Sequence, residues 1–181
     1  MFARFALRDV VFLAVVAACL LAVSFLVVPL VIALPIPGIR SLAPSLFYGL
    51  LLAVALLKVR QPGTLVIVVF FVGLVLLMMS WVMFATNVIA GVLAELIALA
   101  VFRSYQRTNA VLLAAGLYMP LTALVSLGIG TVVGGPTIAH FLANPWVFVP
   151  VLGGTALLSF TGAWMGLRLG QELRVAGVLR A

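Results

Sequence analysis

"TLVIVVFFVGLVLLMMSWVMFATNVIAGVLAELIALAVF", residues 64–102, contains a single charged residue, Glu95. One helix over that whole run would be roughly twice as long as the ~30 Å hydrocarbon core of a bilayer. The run therefore reads as two passes. The turn between them is expected near "SWVMFATN", residues 80–87, where polar and aromatic residues cluster as they do at interfacial depth.

The pattern extends along the chain. Of 181 residues, 67% are hydrophobic and only 7% charged, and the mean hydropathy is +1.44. A soluble domain carries about a quarter charged residues, so this surface is not built to face water. Long uncharged segments place helices at about 10–34, 42–57, 64–80, 86–102, 110–133 and 146–167. The expectation is an all-α integral membrane protein with six transmembrane helices in one domain over residues 1–181. The first segment is long and lacks a small-residue cleavage site after its apolar core, so it reads as a retained helix and not a signal peptide.

The net charge of +7 is carried by basic residues scattered singly between apolar spans, which argues for topology and against nucleic acid. With the N-terminus inside, Arg4, Arg8, Lys58, Arg60, Arg103, Arg107, Arg168, Arg174 and Arg180 all fall on the cytoplasmic side, and Arg40 alone lies outside. That asymmetry predicts an N-in, C-in protein. The outer loop "PIPGIRSLAPSLFYG", residues 35–49, holds Arg40. The outer segment "GGPTIAHFLANP", residues 134–145, is uncharged and turn-rich, and is expected to fold back as a lid over a cavity.

The inventory excludes most enzymes. One His, one Cys and three carboxylates (Asp9, Glu95 and Glu172) cannot assemble a metalloprotease or phosphatidyl-transferase site, and no phosphate-binding glycine loop is present. Cys19 lies alone in the first helix and reads as a small apolar residue. His140 is a weak candidate for ligating a metal or haem iron, and otherwise an ordinary loop residue. No metal or cofactor is expected.

Glu95 is the one acid within the bilayer. It stands roughly 12 Å along the helix from Arg103, in the inner half. Two roles remain open: a coupling site, or a structural partner for Lys58 or Arg60. Small residues recur at four-residue spacing as Ala14, Ala18 and Ala22 in the first helix and as Gly162, Gly166 and Gly170 in the last. Such ladders let helix backbones approach closely. The outer half gathers Phe47, Tyr48, Trp81, Asn87, His140, Asn144 and Trp146, which are either interfacial anchors or, with Arg40, the lining of an outward cavity.

Several stretches carry a family resemblance. "LLKVRQPGTLVI" supplies a basic, glycine-containing loop with Lys58, Arg60 and Gly63. "NVIAGVLAELIALAVFRSYQRTNA" supplies a fourth helix with Gly91 and Glu95. "FTGAWMGLRLGQELRVAGV" supplies a terminal helix with glycines at 162, 166 and 177. With the alanine ladder, these resemble the substrate-binding S components of energy-coupling factor (ECF) transporters, in particular the MptD or Trep_Strep-type group. The tail departs from that group, reading "QELRVAG" where a basic-aromatic cluster is usual.

The resemblance implies a substrate-specificity subunit of an ECF-type ABC importer in the bacterial cytoplasmic membrane, with no catalytic residues of its own. Its expected partners are a transmembrane T component, docked on Ala14, Ala18 and Ala22, two ATPase subunits that hydrolyse ATP, and a micronutrient. Arg40, Tyr48, Trp81, Asn87, His140, Asn144 and Trp146 are the candidate binding residues. A flat heterocyclic vitamin, a tetrapyrrole and a siderophore suit that set equally. Arg40 either pairs with an anionic ligand or reaches lipid headgroups. Two other classes stay open: a stand-alone secondary transporter or channel using Glu95, and a structural membrane subunit without a ligand.

Overall fold

The computed structural model describes residues 5–32, 39–133 and 145–175. Within them the chain forms six α-helices: α1 (Leu7–Ile32), α2 (Ile39–Lys58), α3 (Thr64–Leu77), α4 (Trp81–Phe102), α5 (Thr108–Val133) and α6 (Pro145–Val175). Four segments are long and apolar enough to cross a membrane: Leu7–Val27, Trp81–Phe102, Thr108–Gly130 and Val149–Leu173. Pro44–Lys58 and Thr64–Leu77 are shorter apolar helices. These apolar helices mark a multi-pass membrane protein.

Helix α2 stands at the centre and touches α1, α3, α5 and α6. Its sequence explains why. Leu52, Ala53, Ala55, Leu56 and Leu57 are all buried, so this helix has no lipid-facing stripe over that stretch. By contrast, α1 buries one stripe, Leu13, Val16, Ala17 and Leu20, and leaves Val11, Val15, Ala18, Ala22, Phe25 and Leu26 exposed.

The tightest join is between α2 and α6, and glycine makes it possible. A Cβ on Gly162 would strike the Leu46 carbonyl oxygen, one on Gly166 the Leu50 carbonyl, and one on Gly49 the Ser159 carbonyl. The two backbones are therefore in direct apposition, the packing that small residues permit where lipid gives no hydrophobic drive. Gly170 lies against Leu57 and extends the same seam to the end of α2. Between α5 and α6, Gly116 receives the Phe160 ring, and the Ser159 hydroxyl donates to the Ala115 carbonyl at 3.3 Å.

Helices α3 and α4 form the hairpin expected of residues 64–102, but the turn is earlier and tighter than the sequence suggested. It consists of residues 78–80, not 80–87. Ser80 is extended at the N-cap of α4 and its hydroxyl accepts the Val82 N–H at 3.3 Å. From Trp81 onward the chain is helical, and Thr86 satisfies its hydroxyl on the Val82 carbonyl at 2.7 Å. Polar side chains that bond back to their own helix need no turn, which is why Thr86 and Asn87 ride inside α4.

The loops at residues 59–63 and 103–107 meet at one end of the bundle, where Arg60 donates to the Gln106 carbonyl at 3.1 Å. Lys58 belongs to the same end and sits over the Phe12 ring, 3.8 Å from its centroid. Arg40 lies in the first turn of α2, at the opposite end of that helix from Lys58.

Candidate functional site

Two polar centres interrupt the apolar bundle. The first joins four helices. Ser24 of α1 donates its hydroxyl proton to the Leu20 carbonyl at 2.9 Å. That proton being committed, the 2.9 Å contact between Ser24 Oγ and Tyr48 Oη makes Tyr48 of α2 the donor. The Tyr48 ring stacks on Tyr118 of α5, with centroids 5.9 Å apart and planes 15° from parallel. The Tyr118 hydroxyl in turn donates to Asn87 Oδ1 of α4.

This network crosses the bundle at mid-depth. Tyr48 and Tyr118 each lie ten residues from the basic end of their helices, about 15 Å along the axis. A tyrosine at that depth must find a hydrogen-bond partner, because hydrocarbon offers none. The least constrained group is the Asn87 amide. Asn87 is half-exposed, and its Nδ2 makes only a long 3.3 Å bond to the Met83 carbonyl. It therefore keeps hydrogen-bonding capacity that Ser24, Tyr48 and Tyr118 have spent on one another.

Of the residues proposed for an outward cavity, the structure brings Tyr48 and Asn87 into this cluster through Tyr118. Trp81 and Trp146 do not join it. They are 62% and 88% exposed, as lipid-facing or interfacial side chains would be. Phe47 is also exposed. His140 and Asn144, residues 134–144 of the expected 134–145 lid and the Arg40 side chain lie outside the described residues, and Pro145 already begins α6. Among the described residues, no group of three or more His, Cys, Asp or Glu is placed to hold a metal.

Tyr118 and Ser24 were not singled out in the sequence. The available signal was burial depth, since a hydroxyl in the middle of an uncharged span implies a partner.

The second centre lies at the basic end. Glu95 of α4 is 3% exposed and points at the start of α3. One carboxylate oxygen accepts the Gly63 N–H and the other accepts the Val66 N–H at 2.9 Å. The need is local. A helix N-terminus leaves its first N–H groups unbonded, and Gly63 holds the N-cap with a φ of 96° and no side chain to cap them. Glu95 supplies from a neighbouring helix what a capping serine or aspartate would supply from the chain itself, with the favourable end of the helix dipole. The bonds described for Glu95 thus run to backbone amides, a structural role of the kind the sequence left open beside a coupling one.

The loop is closed further by Thr64, whose hydroxyl meets the Val59 carbonyl at 3.0 Å and the Gln61 carbonyl at 2.7 Å. Tyr105, buried in the 103–107 loop, lies beside the Glu95 carboxylate. Burial, and secondly the Glu95 charge, push its phenol far above the usual range. It stays neutral at any physiological pH.

The alanine ladder divides. Ala14 is half-buried, while Ala18 and Ala22 are exposed on the face of α1 turned away from α2 and α3. Gly162 and Gly166 face the opposite way, into the bundle against α2. Compared with known family models, curated proteins and solved structures, the chain has no match.

Proposed function

We propose that this chain is the solute-capturing membrane subunit of an ECF-type importer, held in the bacterial cytoplasmic membrane by six spans with both ends inside. The observation that carries the proposal is the Ser24–Tyr48–Tyr118–Asn87 network, a hydrogen-bonding and aromatic centre at mid-depth in an uncharged part of the bundle. Such a centre recognises a solute by stacking and amide contacts and performs no chemistry on it. Energy then comes from elsewhere, in keeping with two ATPase subunits and a T component as partners.

Two features support the same assignment. The 14-residue α3 rises only about 21 Å, so a bilayer must thin or the bundle tilt around it. A protein that reorients during transport benefits from that mismatch. Ala18 and Ala22 also leave a smooth small-residue strip on α1 where a transmembrane partner can approach closely. The micronutrient is a vitamin-like heterocycle, a tetrapyrrole or a siderophore. Arg40 and the segments around His140 and Asn144 would complete its site from outside.

The secondary-transporter alternative loses ground on Glu95. Both carboxylate oxygens are occupied in capping α3, and a coupling acid must bind and release its ion in each cycle.

Expression together with neighbouring genes, followed by purification on a tag carried by this chain, tests the assignment. A T component and two ATPases are expected to co-purify. Ala18→Trp, at an exposed position, should remove them while the variant chain elutes and melts like the parent. Solute uptake by the isolated chain driven by a proton gradient would overturn the proposal.

A further inference from the structure

On α6, Leu157, Thr161, Trp164 and Arg168 recur at helical spacing and are all exposed, on the side of the helix away from its glycine seam. Thr161 returns its hydroxyl to the Leu158 carbonyl at 2.9 Å, so the stripe is apolar until its last member. There the Arg168 guanidinium carbon sits over the Trp164 ring, 3.9 Å from the centroid. Trp164 itself is 49% exposed, and Met165 and Leu169 flank it as further exposed apolar side chains.

From these observations we infer that the α6 stripe is a binding site for an anionic phospholipid of the inner leaflet, with its headgroup phosphate on Arg168 and an acyl chain along Trp164 and Leu157. The dimensions agree. Leu157 to Arg168 is roughly 16 Å along the helix, close to the ~15 Å hydrocarbon depth of one leaflet. The cation–π contact holds the guanidinium at the ring and still leaves N–H donors to turn toward a phosphate. Trp164 is the amphipathic ring that such a depth favours. The apolar stripe below the cation selects a lipid over a soluble phosphate, which would gain nothing from Leu157 or Trp164.

The chain has three tryptophans, so replacing Trp81 and Trp146 by Phe leaves Trp164 as the sole reporter. The double variant is placed in phosphatidylcholine vesicles containing a minority of phosphatidylglycerol, with brominated acyl chains on one lipid or the other. Brominated phosphatidylglycerol is expected to quench Trp164 as if enriched roughly fivefold over its bulk fraction, the preference that one interfacial cation confers. Arg168→Gln should abolish the enrichment and Arg168→Lys should keep most of it. Added glycerol phosphate should not compete. Equal quenching by the two lipids, enrichment that survives Arg168→Gln, or displacement by glycerol phosphate would each overturn the inference. Thermal melting of each variant confirms that a loss is not unfolding.

Discussion

Replacing Gly162 by valine is expected to destabilise the bundle by about 3 kcal/mol or more, the upper range for overpacking a closed interface. The cause is backbone, not side chain. The new Cβ would clash with the Leu46 carbonyl oxygen, and a carbonyl within a helix has no rotamer to escape into. Helices α2 and α6 must then separate along a seam that also includes Gly49, Gly166 and Gly170. Because α2 is the central helix, the damage spreads to its contacts with α1, α3 and α5. Gly153→Ala is the control. It lies on the same helix with nothing within 4 Å of a Cβ, and should be neutral or slightly stabilising. Thermal unfolding in detergent separates the two. Equal melting temperatures for Gly162→Val and Gly153→Ala would mean that the seam is not closed.

Glu95→Ala should have the next largest effect, a loss of about 2–4 kcal/mol from leaving two shielded N–H groups without an acceptor. The substitution removes both bonds at once, to Gly63 and to Val66. Glu95→Gln keeps one acceptor oxygen and should lose less. Amide hydrogen exchange gives the local readout: protection at Gly63 and Val66 should collapse in the alanine variant, while the middle of α5 changes little. Unaltered protection at both amides would remove Glu95 from the capping role. If glutamine instead preserved stability but abolished transport, the carboxylate's charge would matter beyond capping.

The sequence reveals the bundle better than its internal connections. Uncharged segments gave six helices because the constraint is local: a long apolar run without a charge must satisfy its own backbone. The glycines of α6 were visible as a ladder, but α2 as the helix they meet was not. Four-residue spacing states that two backbones approach and says nothing of which two. The turn at residues 78–80 is hard to place from sequence because Ser80, Thr86 and Asn87 look alike as polar residues, and only Ser80 caps a helix. The other two bond back onto α4.

At the site the same limit appears. Tyr48 and Asn87 could be singled out as polar residues in an apolar setting, yet they are linked only through Tyr118, which lies 31 residues beyond Asn87 in sequence. Glu95 was identifiable as exceptional from its position alone. Its partner was hidden because the acceptor-seeking groups are the main-chain N–H groups of Gly63 and Val66, which carry no side-chain signature. The missing cap at Gly63 was the clue, since a glycine before an uncharged helix leaves its first amides to be satisfied from elsewhere.

The central claim is that the chain captures a solute at the tyrosine–amide network. It is tested most directly by mass spectrometry of what the purified, undissociated chain releases on denaturation. One small molecule, aromatic or conjugated and near equimolar with the protein, is expected, and its retention should fall in Tyr118→Phe, which takes the donor from Asn87. No retained solute after growth in rich medium, or a solute held equally well by Tyr118→Phe and by Asn87→Leu, would contradict capture at this network.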